Sequence, residues 1–477
     1  MKILYVAAEA TPYVKVGGLG DVMGGLPKEL CALGHDARVV IPLYSTIKEE
    51  LKKDLKFVAE VNVPLGWRMC YCGIFEGEYK GVKYYFIDNK QYFERPSTYG
   101  EFDDAERFAF FSKATLEILP YIDFYPDVIN ANDWHTALVP LYLNAYYKNV
   151  ISYKDIKTVL SIHNIEFQGQ YDPIILGHVF GLDVTYRSIF MYDGCLNILK
   201  AGIESANLVT TVSKTYAQEI LRPDFSHGLH NILVPRQYKL RGIVNGIDYD
   251  AFNPKTDKLI PHNFDYKTIR FKSLNKAAFQ KEMGLPEDAK KPMIGMVTRL
   301  TSQKGLDLVR EVMVELLKFD IQLVVLGTGY PEYEDLMRYW ENTDHMKVRG
   351  IIKFSNELAS KIYAASDMFL MPSRSEPCGL AQMISMRYGT VPIVHTVGGL
   401  KETVTPYNHE TKEGNGFTFQ SYSPWDMFDA IKRALAAYDS KDDWKNVRKN
   451  AMNTDFSWTK SANEYLETYK SVFDTMS

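Results

Sequence analysis

The sequence predicts an α/β protein with more than one domain, and three observations lead to this prediction. The chain has 477 residues, more than one hydrophobic core usually organises. Near-continuous apolar runs, such as residues 2–8 and 293–297, are typical of strands buried on both faces of a parallel sheet. Each run is followed by a loop and then by helical apolar spacing, which is the alternation found in α/β folds.

This alternation is interrupted once, near Asn253-Pro254, and then restarts. We therefore predict a first domain over residues 1–245, a linker over 246–262 and a second domain over 263–458. The final segment, 459–477, has the spacing of an amphipathic helix.

Composition restricts the classes of partner. The net charge of −4 argues against a general nucleic-acid partner and against an anionic membrane surface. The 5 cysteines are scattered, which is typical of a reducing compartment. The apolar run 2–8 is too short for a signal segment or a membrane span. We expect a cytoplasmic protein that binds no nucleic acid and no membrane.

The first domain opens with a predicted strand over 2–8, a glycine-rich loop over 9–19 and a helix that ends at Gly34. The loop and first helical turn contain Lys15, Gly18 and Asp21. They lack the glycine spacing of a dinucleotide fingerprint and the Gly-Lys-Ser/Thr of a nucleotide-hydrolase loop. Lys15 can still supply a cation to a cleft, and Gly18 lets a phosphate approach the backbone closely.

The rest of the first domain continues the pattern. We predict several short alternating strands over 55–87, a helix over 102–119, and strands at 38–41, 127–131, 158–164 and 208–213. Asp133 and His163 follow two of these strands, where cleft-lining residues of α/β sheets belong. A lone histidine in such a place is more often structural than catalytic. Asn245 lies in the segment 242–248 that closes the domain.

The second domain places two cations on one loop. The predicted strand 293–297 runs into a loop that carries Arg299 and Lys304. A forked guanidinium beside an ammonium is suited to holding one diphosphate. A strand at 322–326 and its glycine-rich turn follow.

The segment around Glu376 is where we predict the chemistry. A strand over 367–372 precedes it, and helical spacing over 380–388 ends at Gly389. Pro377 suits the first position of that helix, which would leave the N–H groups of Cys378, Gly379 and Leu380 facing an anion. The next strand, 391–394, leads to a second bare turn at Gly398-Gly399. This pattern indicates a sugar-phosphate or sugar-nucleotide site.

Three motifs in this order resemble one family. Lys15-Val16-Gly17-Gly18-Leu19, Arg299 to Gly305 and Glu376-Pro377-Cys378-Gly379-Leu380 are similar to signatures of the retaining glycosyltransferases, and of their glycogen and starch synthase branch in particular. Val16 departs from the threonine usual in the first motif. The resemblance extends over nearly the whole chain. It implies two Rossmann-like domains facing each other across a deep cleft, the GT-B architecture, with the last helix returning to the first domain.

The resemblance also implies an activity. It is transfer of glucose from ADP-glucose to the non-reducing end of an α-1,4-glucan such as glycogen, with retention of configuration and with neither cofactor nor metal. Glu376, Arg299, Lys304 and His163 are the implied catalytic residues. The implied substrate-binding residues are Lys15, Gly18, Asp21, Asp133, Asn245, Cys378, Gly379, Gly398 and Gly399.

Several alternatives stay open at this level. UDP-glucose could replace ADP-glucose as the donor, or the acceptor could be a different molecule. A non-enzymatic glucan-binding relative would be expected to have lost part of the charged cluster, which is complete here. A phosphorylase would need a pyridoxal phosphate lysine, and no convincing motif for one is present. The sequence leaves open whether Glu376 orients the sugar hydroxyls or supports the cationic centre.

Overall fold

The computed structural model describes residues 1–474, which form two compact units. The first unit comprises Met1–Gly246 and the C-terminal segment from Trp458, and the second comprises Ile247–Ser457. Residues 247–262, predicted as a linker, group with the second unit. Residues 475–477 of the predicted last helix lie outside the described part of the chain.

In its described residues the first unit contains three long helices of 15, 14 and 17 residues, several short helices, and twelve strands. The strands are β1 (Lys2–Val6), β2 (Asp36–Pro42), β3 (Lys56–Leu65), β4 (Arg68–Tyr79), β5 (Val82–Asp88), β6 (Val128–Asn132), β7 (Lys157–Ile162), β8 (Gln170–Tyr171), β9 (Met191–Tyr192), β10 (Cys195–Asn197), β11 (Leu208–Thr211) and β12 (Leu240–Gly242). The helices are α1 (Gly18–Ala32), α2 (Glu49–Lys52), α3 (Lys90–Phe93), α4 (Asp104–Glu117), α5 (Leu138–Tyr142), α6 (Ile175–His178), α7 (Arg187–Phe190), α8 (Ile198–Ser205), α9 (Lys214–Glu219), α10 (His230–Leu233) and the C-terminal helix (Trp458–Asp474).

Nine of these strands form one sheet in the order β12-β11-β7-β6-β1-β2-β5-β4-β3. All neighbouring pairs are parallel except β5-β4 and β4-β3. Residues 3–6 of β1 are completely buried, which explains the continuous apolar run at the start of the sequence. The chain leaves β1 for β2 on one side and later returns to β6 on the other. The sheet therefore has a topological switch point between β1 and β6, the place where ligands bind in open α/β sheets.

The C-terminal helix is part of the first unit's core. The indole of Trp458 fills the space above Gly25 of α1, where an added Cβ would lie 2.0 Å from Nε1 of the ring. The hydroxyl of Tyr469 lies 2.8 Å from that of Tyr5 on β1, and both side chains are buried. The last helix thus completes the layer that covers this face of the sheet.

The second unit is a six-stranded parallel sheet covered by helices. Its strands are β13 (Met293–Val297), β14 (Gln322–Leu326), β15 (Val348–Ile351), β16 (Met368–Met371), β17 (Val391–His395) and β18 (Phe417–Phe419). Its helices are α11 (Lys272–Met283), α12 (Leu306–Leu316), α13 (Pro331–Thr343), α14 (Asn356–Ala365), α15 (Ala381–Arg387), α16 (Gly398–Thr403), α17 (Pro424–Asp439) and α18 (Lys441–Asn453). The order β15-β14-β13-β16-β17-β18 puts the switch point between β13 and β16.

Two local predictions were wrong, and one small sheet was not predicted. The predicted short strands over 55–87 are two long strands of 10 and 12 residues followed by one of 7. The small antiparallel sheet β8-β10-β9 was missed, because strands of two or three residues carry no usable periodicity. The helix after Glu376 begins at Ala381 and not at Pro377. Gly379 between them has φ +72°, a left-handed conformation that does not continue a helix.

Across residues 1–474, no helix is both long enough and apolar enough to cross a membrane. The five cysteines, all of which lie in this range, are thiols and form no disulfide with one another.

Candidate functional site

A cavity of about 200 Å³ lies at the switch point of the second unit. Its walls come from β13, from β16 and from the loops that follow these two strands. Four residues predicted from the sequence line it, namely Arg299, Lys304, Glu376 and Gly379. The predicted position of the chemistry, at the carboxyl ends of two adjacent strands, therefore coincides with a real concavity.

Glu376 is held in this cavity by an ion pair and a hydroxyl. Lys304 Nζ donates to Glu376 Oε2 at 2.7 Å, and Ser373 Oγ donates to the same oxygen at 2.9 Å. Glu376 is only 7% exposed, so the carboxylate depends on these donors in place of water. The cavity therefore contains a buried carboxylate and an ammonium group side by side, and either group can also interact with a charged ligand.

Arg299 is the second cation of the cavity. Its Nη2 lies 3.4 Å from Oε1 of Gln303, a long contact that leaves most of the guanidinium's donors for other partners. Lys304 and Arg299 thus come from one loop and line one cavity, as the sequence predicted.

Gly398 and Gly399 pack against the Glu376 loop. A Cβ on Gly398 would lie 1.9 Å from the carbonyl oxygen of Glu376, and one on Gly399 would lie 2.1 Å from that of Cys378. Gly399 N–H donates to the carbonyl oxygens of Glu376 and Pro377, at 3.1 Å in each case. The Gly399 amide of this second bare turn is therefore bonded within the protein and does not point to a ligand, and the two glycines set the position of the Glu376 loop.

Cys378 and Gly379 are fixed by a side chain further along. Gln382 Nε2 donates to the carbonyl oxygens of Cys378 at 3.2 Å and Gly379 at 2.8 Å. A Cβ on Gly379 would lie 2.6 Å from Gln382 Oε1 and 3.1 Å from Cγ of Glu376. The bare backbone at Gly379 therefore makes room for the Glu376 side chain.

In the first unit, the Lys15 loop is organised by a buried carboxylate. Glu9, which is 3% exposed, accepts hydrogen bonds from the N–H groups of Val16 and Gly17, the latter at 2.9 Å. Gly17 is the N-cap of α1 and has no side chain to cap the helix, and Glu9 instead bonds the two amides that immediately precede the first helical residue, Gly18. Burial raises the pKa of Glu9, and the two amide donors oppose that rise.

The predicted residues of this loop lie together. Lys15 Nζ is 2.7 Å from Oδ1 of Asp21, in an ion pair that is partly exposed. Gly18 is the first residue of α1 and not part of the preceding loop, and a Cβ there would meet nothing within 4 Å. The open space above Gly18 permits the close approach of a ligand that the sequence predicted.

Asp133 follows β6 at the switch point and adopts φ +57°, which is uncommon for a residue other than glycine. Its Oδ1 accepts from the backbone N–H of His163 at 2.7 Å, so it ties the end of β6 to the end of β7. Burial raises the pKa of Asp133 to about 7 despite the opposing amide bonds. The carboxyl can therefore hold or release a proton near neutral pH.

His163 presents a defined tautomer. Asn132 Nδ2 donates to the carbonyl oxygens of Val6 and Asn130, which orients Oδ1 of Asn132 toward His163 Nε2 at 2.9 Å. Burial lowers the pKa of His163 to about 4, so the ring is neutral and Nε2 carries the proton. Nδ1 is then an acceptor, and within residues 1–474 it is buried without a hydrogen-bond partner. An unused buried acceptor of this kind is suited to a ligand hydroxyl.

Asn245 lies beyond β12, two strands further along the sheet from His163. It is buried, and its Oδ1 has no partner among the described residues. The structure therefore places Asn245 at the same edge of the sheet but not beside the switch point.

Sequence reasoning missed Glu9, Asn132 and Ser373. Ser373 stands three residues before Glu376 in the sequence, but a serine and a glutamate at this spacing are too common to indicate a contact. Glu9 and Asn132 carry no local signal: Glu9 acts on a loop that folds back to it, and Asn132 acts on a residue that the sheet brings beside it.

Each unit is built on a largely parallel sheet with polar residues at its switch point, which defines a protein with two Rossmann-like domains. The model of the starch synthase catalytic domain matches residues 2–235, and that of glycosyl transferases group 1 matches residues 279–451. The chain is 51% identical to a glycogen synthase of Clostridium botulinum, with 99% of both chains covered. It is 49% identical to a glycogen synthase of Clostridioides difficile, with 99% of this chain and 100% of that one covered.

A solved structure agrees with these sequence matches. The catalytic domain of starch synthase IV from Arabidopsis thaliana, bound to ADP and acarbose, superposes with a TM-score of 0.92 at 35% identity, and 99% of each chain is covered. The chain belongs to the glycogen and starch synthase family of glycosyltransferases, which confirms the resemblance and the fold predicted from its motifs.

Proposed function

We propose that this protein is a glycogen synthase that transfers glucose from ADP-glucose to the non-reducing end of an α-1,4-glucan, with retention of configuration. The observation that carries the proposal is the buried Lys304–Glu376 pair, with Arg299 beside it, in the switch-point cavity. The names of the relatives and the ADP in the Arabidopsis structure support it.

In the proposed reaction the bond between the sugar's anomeric carbon and the diphosphate oxygen breaks, and negative charge develops on the departing ADP. Arg299 and Lys304 stabilise that charge from fixed positions, which often supplies the largest catalytic term. The acceptor's hydroxyl attacks from the face that the nucleotide leaves, and its proton passes to the departing phosphate oxygen. Glu376 supplies negative charge beside the sugar while its positive centre is exposed.

The first unit is proposed to contribute binding groups. Neutral His163 accepts a hydrogen bond from a sugar hydroxyl through Nδ1. Lys15 and Asp21 at the start of α1 bind polar groups of the substrate over the open backbone of Gly18. Asp133 fixes the backbone at His163, and Asn245 offers its unused carbonyl oxygen.

Metal and cofactor are proposed to be unnecessary, because Arg299 and Lys304 can neutralise the diphosphate. Adding EDTA should leave the rate unchanged, and loss of all activity would contradict this part of the proposal. A cytoplasmic location is proposed on the basis of the five thiols and the bacterial relatives.

The deciding experiment compares turnover of ADP-glucose and UDP-glucose with glycogen as primer. We expect transfer from ADP-glucose, slower transfer from UDP-glucose, and a product cleaved by an α-glucosidase. Absence of transfer from both donors, or a β-linked product, would overturn the proposal. Competition by small alcohols or sucrose as acceptors would point to a different acceptor.

A further inference from the structure

His395 is the last residue of β17, the strand that lies between β16 and β18 in the second sheet. The regular pairing ends at Met371 on β16 and at Phe419 on β18. Beyond these two points the chain departs in separate loops, and the loop after β16 carries Glu376. The side chain of His395 is 7% exposed, and none of the reaction steps proposed above uses it. It is therefore a buried ionisable group beside the site whose role remains to be assigned.

Both ring nitrogens of His395 face backbone carbonyl oxygens. Nδ1 lies 2.8 Å from the carbonyl oxygen of Ser373, and Nε2 lies 3.1 Å from that of Gln420. A carbonyl oxygen can only accept a hydrogen bond, and a neutral imidazole has a single N–H to donate. A neutral ring would therefore direct a bare lone pair at one of the two oxygens. Only the imidazolium, which has an N–H on each nitrogen, makes both hydrogen bonds.

The surroundings of the His395 ring suit a positive charge. Phe419 stacks on the ring with the two centroids 5.3 Å apart, and the centroid of Tyr422 lies 5.5 Å from it. The electron-rich faces of aromatic rings attract cations. Among residues 1–474 no carboxylate pairs with the His395 ring, so its charge is held by the two carbonyl dipoles and the aromatic neighbours.

The charged groups on the neighbouring segments already have partners of their own. Asp307 on α12 accepts from the hydroxyl of Tyr422 at 2.7 Å, and Nη2 of Arg374 lies 3.5 Å from its other oxygen. On the loop after β16, Glu376 is paired with Lys304 at 2.7 Å. Each of these two carboxylates is therefore balanced by its own cation, and the imidazole is left as the group whose charge decides how the two loops are held.

We propose that His395 is a positioning residue of the transfer reaction and acts as an imidazolium that holds the loops after β16 and β18 to the end of β17. Ser373, whose carbonyl oxygen it bonds, lines the cavity and donates its hydroxyl to Glu376 at 2.9 Å. Either neutral tautomer replaces one hydrogen bond by a repulsion between two lone pairs, so the ring must shift and the loop that carries Glu376 loosens with it. The proposal rests on the proposed function for the identity of the reaction.

The test uses the full-length protein and three variants, His395→Gln, His395→Lys and the control His409→Gln. His409 is an exposed histidine in the turn before β18. NMR of the protein labelled with ¹⁵N-histidine shows whether each ring nitrogen carries a hydrogen, and the His395 signals are those missing from the His395→Gln spectrum. The melting temperature, and kcat and KM for ADP-glucose with glycogen as primer, are measured from about pH 6 to about pH 9.

At the lower pH we expect a hydrogen on both ring nitrogens of His395 in the wild type. As the pH rises and this signal becomes that of a neutral ring, kcat should fall about tenfold with little change in KM, since a loop displaced by less than 1 Å costs less than the hundredfold of a full 1 Å. His395→Gln should be about tenfold slower already at the lower pH. His395→Lys, which keeps its charge, should recover most of the rate and lack the fall. Asp133 titrates in all variants alike, so this comparison isolates His395.

A neutral His395 ring in the wild type at the lower pH would overturn the proposal, and so would equal kcat in the wild type and His395→Gln. A lysine that does not fit would appear as a lowered melting temperature, and the spectrum and pH profile of the wild type would then decide. The spectrum needs no turnover, so a doubly protonated His395 in a protein that transfers no glucose would refute the proposed function and leave the imidazolium in place.

Discussion

Gly398→Ala tests whether the position of the Glu376 loop controls activity. The added Cβ would lie 1.9 Å from the carbonyl oxygen of Glu376, whereas such contacts in proteins do not fall below 3.0 Å. The Glu376 loop or the start of α16 must therefore move by about 1 Å, and a misplacement of that size can cost about 100-fold in rate. Gly398 also has φ +46°, which adds about 1 kcal/mol of strain for alanine.

The assay is kcat with ADP-glucose and maltoheptaose, together with the melting temperature. We expect kcat to fall about 100-fold. Gly177→Ala is the matched control, because its Cβ would come no closer than 3.7 Å to any neighbour and its φ lies outside the left-handed region. A lowered melting temperature with wild-type kcat would refute the reasoning, since the loop would then have moved without consequence for the chemistry.

Three further predictions concern charged groups. Lys304→Ala should lower kcat about 100-fold, because a fixed cation for the diphosphate is lost, and should also lower the melting temperature, because Glu376 is left buried without its cation. Lys318→Ala, which removes an exposed lysine, is the control. Wild-type kcat in the Lys304→Ala variant would contradict the phosphate role. The pKa of Asp133 is about 7 in the folded protein, whereas its ordinary value is 3.8. Between pH 3.8 and pH 7 the folded protein therefore keeps a proton that the unfolded chain releases, so the stability of the fold falls as the pH rises through this range. Asp133→Asn should therefore raise the melting temperature at pH 8 and raise it less at pH 5; an equal difference at both would exclude this titration. Glu9→Gln should raise KM for ADP-glucose about tenfold with a smaller effect on kcat, since it weakens the bonds that hold the Lys15 loop, and an unchanged KM would remove Glu9 from this role.

The strand positions of both units were predictable because burial on both faces leaves a continuous apolar run. The predicted strand 293–297 coincides with β13, and the loop after it does carry Arg299 and Lys304 into a cavity. Ligand sites at strand ends follow from the parallel topology itself, so the cavity's location needed no knowledge of side-chain contacts.

The contacts that fix the site residues were not predictable. Glu9 reaches the amides of Val16 and Gly17 only because the loop after β1 folds back on itself. Asn132 meets His163 because β6 and β7 are neighbours in the sheet, which residue spacing does not reveal. The sequence shows a glycine at position 398, but the reason why a glycine is needed there is the close approach of the carbonyl oxygen of Glu376, which the sequence does not reveal.

The two ends of the second unit lie side by side. Ile247 and Ser457 form a parallel bridge, and the amide of Ile247 donates to the carbonyl oxygen of Phe456 at 2.8 Å. In the order of synthesis the second unit is one uninterrupted segment, whereas the first is interrupted by it and lacks its C-terminal helix until the second unit has been completed. On the ribosome the second unit therefore has all of its residues before the first does. A chain stopped before Trp458 would leave Gly25 and Tyr5 uncovered, which reverses the usual order in which the N-terminal part of a protein matures first.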